Sequence, residues 1–170
     1  MSDRRPLWCT VLSVSLILCV AGLARAQEAA GHRGQNVAEM KFGPVPGLPT
    51  CATGSVQSGD PSKGPFIIYA KIAEGCSIPW HWHSANEHLM VVTGAARLDT
   101  KDAKPLTIRA GGFAMMPSRH AHQFRCAKAC SLFVYSDGAF DIHYLDGEGK
   151  EISPDDALKP FKETAAKPGA

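Results

Sequence analysis

The stretch Gly75–Gly94, GCSIPWHWHSANEHLMVVTG, constrains the fold more than any other part of the chain. Pro79 removes a backbone donor and clashes with a preceding helical turn, so a helix is excluded just where the apolar residues begin. The run Trp80-His81-Trp82-His83 has the two-residue period of a strand. On a strand, side chains at i and i+2 share a face, so His81 and His83 project together while Trp80 and Trp82 face away. Glu87 has the same parity, and Ser84-Ala85-Asn86 is short enough to bend the chain between two strands. His88–Thr93 then reads as a buried strand closed by Gly94.

The same rhythm continues on both sides, with short strands, frequent turn residues and hardly a helix-length periodic run. Strands are expected near Ser55–Gln57, Pro65–Ile72, Ile78–His83, His88–Thr93 and Ala95–Leu98. Others follow near Pro105–Arg109, Phe113–Met116, His122–Cys126, Cys130–Tyr135 and Asp141–Leu145. Gly43–Pro49 holds three prolines and two glycines and reads as an extended segment crossing the surface. Near the end, Ser153 is placed to cap a short helix, with Pro154 at its first position and Asp155 and Asp156 in its first turn. Only one pair of strand motifs is present and no internal repeat, so the expectation is an all-β, single-domain jelly-roll barrel of two antiparallel sheets.

His81, His83 and Glu87 are joined by a later candidate, His122, in Gly111–Cys126, GGFAMMPSRHAHQFRC. Three imidazoles and a carboxylate can hold a divalent first-row metal and leave positions open for water, oxygen or substrate. The bland alternative is a set of satisfied polar side chains at a barrel mouth. Ser84 and Asn86 are candidate partners that would orient the ligands. His120 shares the parity of His122 and is a candidate proton shuttle at the pocket mouth. His88 and His143 read as structural, and His32 as solvated. Phe113, Met115, Met116, Phe124, Phe133 and Tyr135 have the types expected of core or pocket lining, with core favoured for most, and an apolar pocket around the metal follows if even two face it. Arg119 is a lone arginine that could meet an anionic substrate.

These residues carry a resemblance. Gly75, five residues, His81-x-His83, three residues, Glu87, six residues, Gly94 resembles the first motif of the cupin superfamily without a gap. Gly111, five residues, Pro117, four residues, His122 resembles the second. Arg119 stands where that motif has a glycine, and Cys126 where it has an asparagine, which bears on turn geometry rather than on the metal. The resemblance covers about Lys41 to Asp146 and implies the cupin-type double-stranded β-helix with a metal held by His81, His83, Glu87 and His122. More narrowly the chain is similar to small exported single-domain cupins, through Gly59–Phe66 and Phe140–Leu145. That group implies a fold and a metal, not a substrate.

The first 26 residues read as a signal peptide. Arg4 and Arg5 give a basic start, Leu7–Leu23 an apolar stretch, and Ala24-Arg25-Ala26 a small-x-small cleavage site. A membrane anchor is the competing reading, and a lipid anchor at Cys19 a weaker one. The Arg-Arg start also resembles a twin-arginine export signal. Residues 27–40 then form a flexible lead-in, 41–146 the barrel, and 147–170 a tail, frayed from Ala165. Cleavage leaves Cys51, Cys76, Cys126 and Cys130, an even number suited to an oxidising compartment. Cys126 and Cys130 flank what reads as a hairpin tip, which favours a disulfide there and a second between Cys51 and Cys76. The thiolate or redox-pair alternative is weaker, since no CxxC is present. A net charge of +2 with scattered basic residues excludes a nucleic-acid partner and leaves a small molecule as the expected ligand.

These expectations describe a periplasmic or secreted protein with no membrane anchor once the signal is removed. One divalent transition metal is expected, Fe or Mn by preference, with Zn, Cu or Ni as alternatives. The favoured activity is that of a dioxygenase-like small-molecule oxidoreductase in which Glu87 doubles as a proton acceptor; hydrolysis or isomerisation at the same metal is a variant. Against it stands a non-catalytic metal- or ligand-binding barrel, and against both a metal that only staples the fold. Barrels of this kind often pair through sheet edges, so a homodimer is a candidate assembly.

Overall fold

Twelve strands account for nearly all the regular structure in this computed structural model, which describes residues 33–165, and side chains as far as Lys159. The expected signal peptide, the twin-arginine start, Cys19, His32 and the tail beyond Ala165 lie outside the described residues. The strands are β1 Gly43–Pro44, β2 Ala52–Gly59, β3 Phe66–Ile72, β4 Ser77–Trp82, β5 Glu87–Thr93 and β6 Ala95–Thr100. They continue with β7 Leu106–Arg109, β8 Phe113–Met116, β9 His122–Arg125, β10 Cys130–Ser136, β11 His143–Leu145 and β12 Glu151–Ile152, before the helix α1 Pro154–Ala165. A single 3₁₀ turn, Val37–Glu39, precedes β1.

All pairing is antiparallel, in two six-stranded sheets. Sheet A runs β1-β2-β3-β10-β5-β8, and sheet B runs β12-β11-β4-β9-β6-β7. The facing surfaces bury the alternate apolar residues each strand supplies: Phe66, Ile68, Ala70 and Ile72 from β3, Leu89 and Val91 from β5, and Leu98 and Phe124 from β6 and β9. This is the all-β jelly roll that the turn rhythm predicts.

Consecutive strands repeatedly change sheet, which corrects one expectation. The β9–β10 link is a corner between the sheets, not a hairpin tip, and β4–β5 and β8–β9 cross between the sheets in the same way. The Cys126–Cys130 disulfide therefore staples a corner, and it lies beside the Cys51–Cys76 disulfide, because the Cys126 N–H donates to the Cys76 carbonyl at 3.1 Å. At Gly94 the chain passes from sheet A to sheet B in one residue, at φ +72°. A Cβ there would come within 2.6 Å of the Ala129 carbonyl oxygen, so only glycine fits.

Pro79 does more than exclude a helix. Strand β4 shifts register against β9 between Ile78 and His81, as a bulge at a residue that cannot donate to the ladder. The bulge resets the parity, so Ile78 and His81 are both buried although simple alternation puts them on opposite faces.

One further expectation is refined and one corrected. Gly43–Pro49 runs along the surface with Pro44 and Pro46 exposed, and it also pairs as β1 with β2 and turns Val45 and Leu48 to the barrel cavity. Phe113 and Met115 are not core but stand outward on β8, 59% and 45% exposed. In the tail, the Asp156 N–H donates to Ser153 Oγ at 3.1 Å as the first turn of α1 begins, and Leu158 is buried.

Candidate metal centre

The buried polar residues of the barrel are few, and three of them are His81, His83 and His122, at 2%, 8% and 1% exposure. His81 is on β4, His83 just beyond its end, and His122 opposite His81 on β9. One ring nitrogen from each lies within 4.8 Å of the others, a spacing that could hold a metal ion. Glu87 comes from the other sheet, at the start of β5. Its Oε2 is 3.4 Å from His122 Nε2 and its Oε1 is 3.7 Å from His83 Nε2.

Each Nδ1 meets a backbone carbonyl: Pro79 for His81 at 2.6 Å, His120 for His122 at 2.9 Å, and Asp141 for His83. A carbonyl can only accept, so each Nδ1 carries a proton and Nε2 is the atom left to face the shared centre, as a lone pair when the ring is neutral and as a donor to Glu87 when it is charged. The orienting groups are thus main-chain oxygens, where the sequence pointed to Ser84 and Asn86. Those two serve the corner instead: Ser84 N–H donates to Asp141 Oδ1 at 2.8 Å, and Asn86 Nδ2 donates to Asp137 Oδ2 at 2.6 Å. His120 is not a shuttle in this geometry, because its side chain turns to Asp102 at 3.0 Å while its carbonyl holds His122.

Burial, reinforced by the charges His122 and His83 can carry, holds His81 well below its usual 6.5 and keeps it neutral. Burial works the other way on Glu87, but the hydrogen bond with His122 and the charges of His83, His122 and His81 outweigh it and hold the carboxyl down at about 2. Three clustered imidazoles with an anionic carboxylate beside two of them are donor types that a divalent first-row metal takes. The three histidines fit the group that the motif implies, and Glu87 stands beside two of them without belonging to the set whose ligand atoms lie within 4.8 Å of one another.

The donors form one wall of a cavity of about 60 Å³ whose other walls are apolar, among them Ile78, Leu89, Phe124, Leu132 and Phe140. Tyr144, fully buried with its ring 6.0 Å from that of His81, donates its hydroxyl to the Gly47 carbonyl at 2.7 Å. Burial pushes this phenol up, so it stays protonated as a prop between β11 and the Gly43–Pro49 segment. Phe140 and Tyr144 lie in the Phe140–Leu145 segment that carries the narrower resemblance, but nothing in the sequence points them at the site, and Val45 and Leu48 carry no motif at all.

On the other face of β4, Trp82 stacks flat on His143 at 3.8 Å, and the Arg119 guanidinium lies 5.0 Å from the same ring. His143 also meets Glu151 at 2.7 Å and Asp141 at 3.4 Å. Arg119 is therefore engaged on the outer side of the ligand strand, not in the cavity.

A family described as Cupin domain matches residues 68–136, the span from β3 to β10 that contains all four donors. Among solved structures, the chain is similar to a candidate acetylacetone dioxygenase from Methylibium petroleiphilum, at 14% identity and TM-score 0.57, over 72% of this chain and 87% of that one. It is similar to the DMSP lyase DddQ from Ruegeria pomeroyi at 17% identity and TM-score 0.55, over 66% and 64%. An RmlC-like cupin from Shewanella frigidimarina matches at 14% identity and TM-score 0.54, over 65% and 95%. At these identities the likeness is one of fold. No curated protein matches the chain.

Proposed function

The chain belongs to the cupin superfamily, and from that premise we propose that it is an exported metal-binding cupin acting as a dioxygenase-like oxidoreductase on small molecules. One observation carries the reading: three buried imidazoles, each fixed through Nδ1 by a backbone carbonyl, turn Nε2 toward one point beside an anionic carboxylate. His81, His83, His122 and Glu87 would hold the ion, with iron or manganese preferred. Held there, it would supply Lewis acidity and one-electron chemistry at its open positions.

The chain's own residues do the rest. The apolar walls exclude water and strengthen the field at the donors. Glu87, ionised at neutral pH, is the group able to take a proton from an enolisable substrate. The fold alone does not choose the reaction, since similar barrels belong to a candidate dioxygenase and to a lyase. Export is supported by the two disulfides. Among the described residues no helix is long and apolar enough to cross a membrane.

The small room beside the donors favours a second reading, a barrel that holds a metal or small ligand without turning it over. Elemental analysis of protein purified from its own periplasm, followed by O₂ uptake over phenols, flavonols, diketones and thiols, separates the two. Uptake that depends on substrate and disappears in His122→Ala supports the enzyme. Inertness with every metal leaves the binding barrel.

A further inference from the structure

The inner face of sheet A extends beyond the metal cavity. Ala52, Gly54 and Val56 on β2 stand opposite Ile72, Ala70 and Ile68 on β3, the row that lines the cavity. At the Val56 end this inward row meets solvent, and Val56 is 50% exposed. Over it lie Pro44, Val45 and Pro46, with Pro61 from the next turn, leaving a groove of about 280 Å³ beside the cavity of about 60 Å³.

The two spaces share Val45, Ile68 and Phe140. Phe140 is the partition: its ring lies 5.7 Å from that of His83 and 6.2 Å from that of Phe66, and its N–H donates to the Pro61 carbonyl at 2.7 Å. Gly54 lets Val45 sit down on the sheet, since a Cβ there would meet Val45 Cγ2 at 2.8 Å and Ile68 Cγ2 at 3.0 Å. Ser62 supplies the one polar side chain of the groove, and no charged residue lines it.

We propose that this groove is the subsite for the apolar tail of the substrate, an uncharged alkyl or aryl group whose oxygen-bearing head reaches the histidine cluster past Phe140. This rests on the metal-binding reading and narrows its substrate to chelating oxygens at one end and hydrocarbon at the other. A charged tail is disfavoured, because nothing in the groove would compensate its desolvation. The position of the groove against the cavity, with three side chains common to both walls, is what selects a substrate tail over other occupants.

The test loads the full mature chain with Zn(II) and titrates alkyl hydroxamates from acetyl to octanoyl by calorimetry. Affinity is expected to rise about three- to fourfold per methylene until the groove is filled. Val45, Val56 and Ile68 methyl resonances should shift with octanohydroxamate and not with acetohydroxamate. In Val56→Glu the octanoyl-to-acetyl affinity ratio should collapse toward one. A flat series, or an undiminished ratio in the variant, overturns the proposal, as do methyl shifts that track protein concentration instead of ligand and so assign the groove to a second copy. Should acetohydroxamate fail to bind, the metal reading falls by itself. Hexan-1-ol added to metal-free protein then decides the groove: shifts at those methyls support the subsite, and their absence removes it.

Discussion

His122 Nε2 lies 3.4 Å from the Glu87 carboxylate, although β9 and β5 belong to different sheets. His81 and His122 lie on one sheet and His83 just beyond the end of β4, so a cation that took Glu87 as a further ligand would tie sheet to sheet. Glu87→Gln keeps the shape and removes the charge, so metal affinity should drop on the order of 10- to 100-fold with little change in the fold. His122→Ala should cost at least as much. Competition titration against a chromophoric chelator measures both; affinity unchanged in either variant would exclude that residue as a ligand.

Acid should weaken the metal-free protein in two steps. His81 is held neutral in the fold well below 6.5, so below about pH 6.5 the unfolded chain binds the extra proton and stability declines. Glu87, held at about 2 against the usual 4.5, contributes stability that is present above ~4.5 and is lost as pH falls toward its folded value. Calorimetry of chelator-treated protein should therefore show a Tm that is level above about pH 7 and declines steadily in acid. His81→Gln should flatten the upper part of that decline. A Tm independent of pH between about 7 and 5 would contradict the assignment.

The fold was legible because strands announce themselves through alternation, and the ligand pair His81/His83 through its spacing. Beyond that, sequence reasoning failed where geometry departs from a regular ladder. Ile78 and His81 share a face only because Pro79 inserts a bulge. The Cys126–Cys130 corner reads as a hairpin tip in the sequence, because a turn signal says that the chain bends and not which sheet it joins. The partners of the histidine Nδ1 atoms are carbonyls, which every residue has, so no side-chain pattern could reveal them. Residue type alone points Phe113 and Met115 to core or pocket lining, yet they occupy the outward positions of a strand whose Ala114 and Met116 point in.

The two disulfides should differ in worth. Cys51–Cys76 joins residues separated by 25 positions and Cys126–Cys130 residues separated by 4. Constraint of the unfolded chain predicts about 3 to 4 kcal/mol for the first and about 2 kcal/mol for the second. Denaturant unfolding of the two double-alanine variants should reproduce that order. Equal losses would mean that the corner staple acts through native contacts instead of chain entropy.

Arg119 occupies the left-handed region at φ 61°, the one non-glycine among the described residues to do so. The family's second motif has glycine at this point, so the turn keeps the geometry of glycine with an arginine in its place. Two contacts compensate: its N–H donates to the His83 carbonyl at 2.8 Å, and its guanidinium lies over Trp82. Arg119→Ala keeps the strain and loses the guanidinium contact, whereas Arg119→Gly removes both. Glycine should therefore be the more stable variant by about 1 kcal/mol. Alanine equal to or above glycine in urea midpoint would show that the turn relaxes once the side chain is gone.

Asp141 links the outer cluster to the ligands. Its carbonyl accepts from His83 Nδ1, its Oδ1 accepts the Ser84 N–H at 2.8 Å, and its Oδ2 lies 3.4 Å from His143 Nε2. The Ser84 bond raises no ligand to the metal, but it fixes the corner on which His83 sits. Asp141→Ala leaves every donor in place and keeps the carbonyl, so what is lost is the anchoring of that corner together with the His143 contact. Metal affinity should fall about tenfold. Glu151→Ala, which removes the other carboxylate partner of His143 and touches neither His83 nor Ser84, should leave it unchanged. Asp141→Asn, which retains an acceptor for Ser84, should recover most of the loss. If Asp141→Ala and Glu151→Ala weaken metal binding equally, the outer cluster acts through general stability, and the anchoring role of Asp141 is refuted.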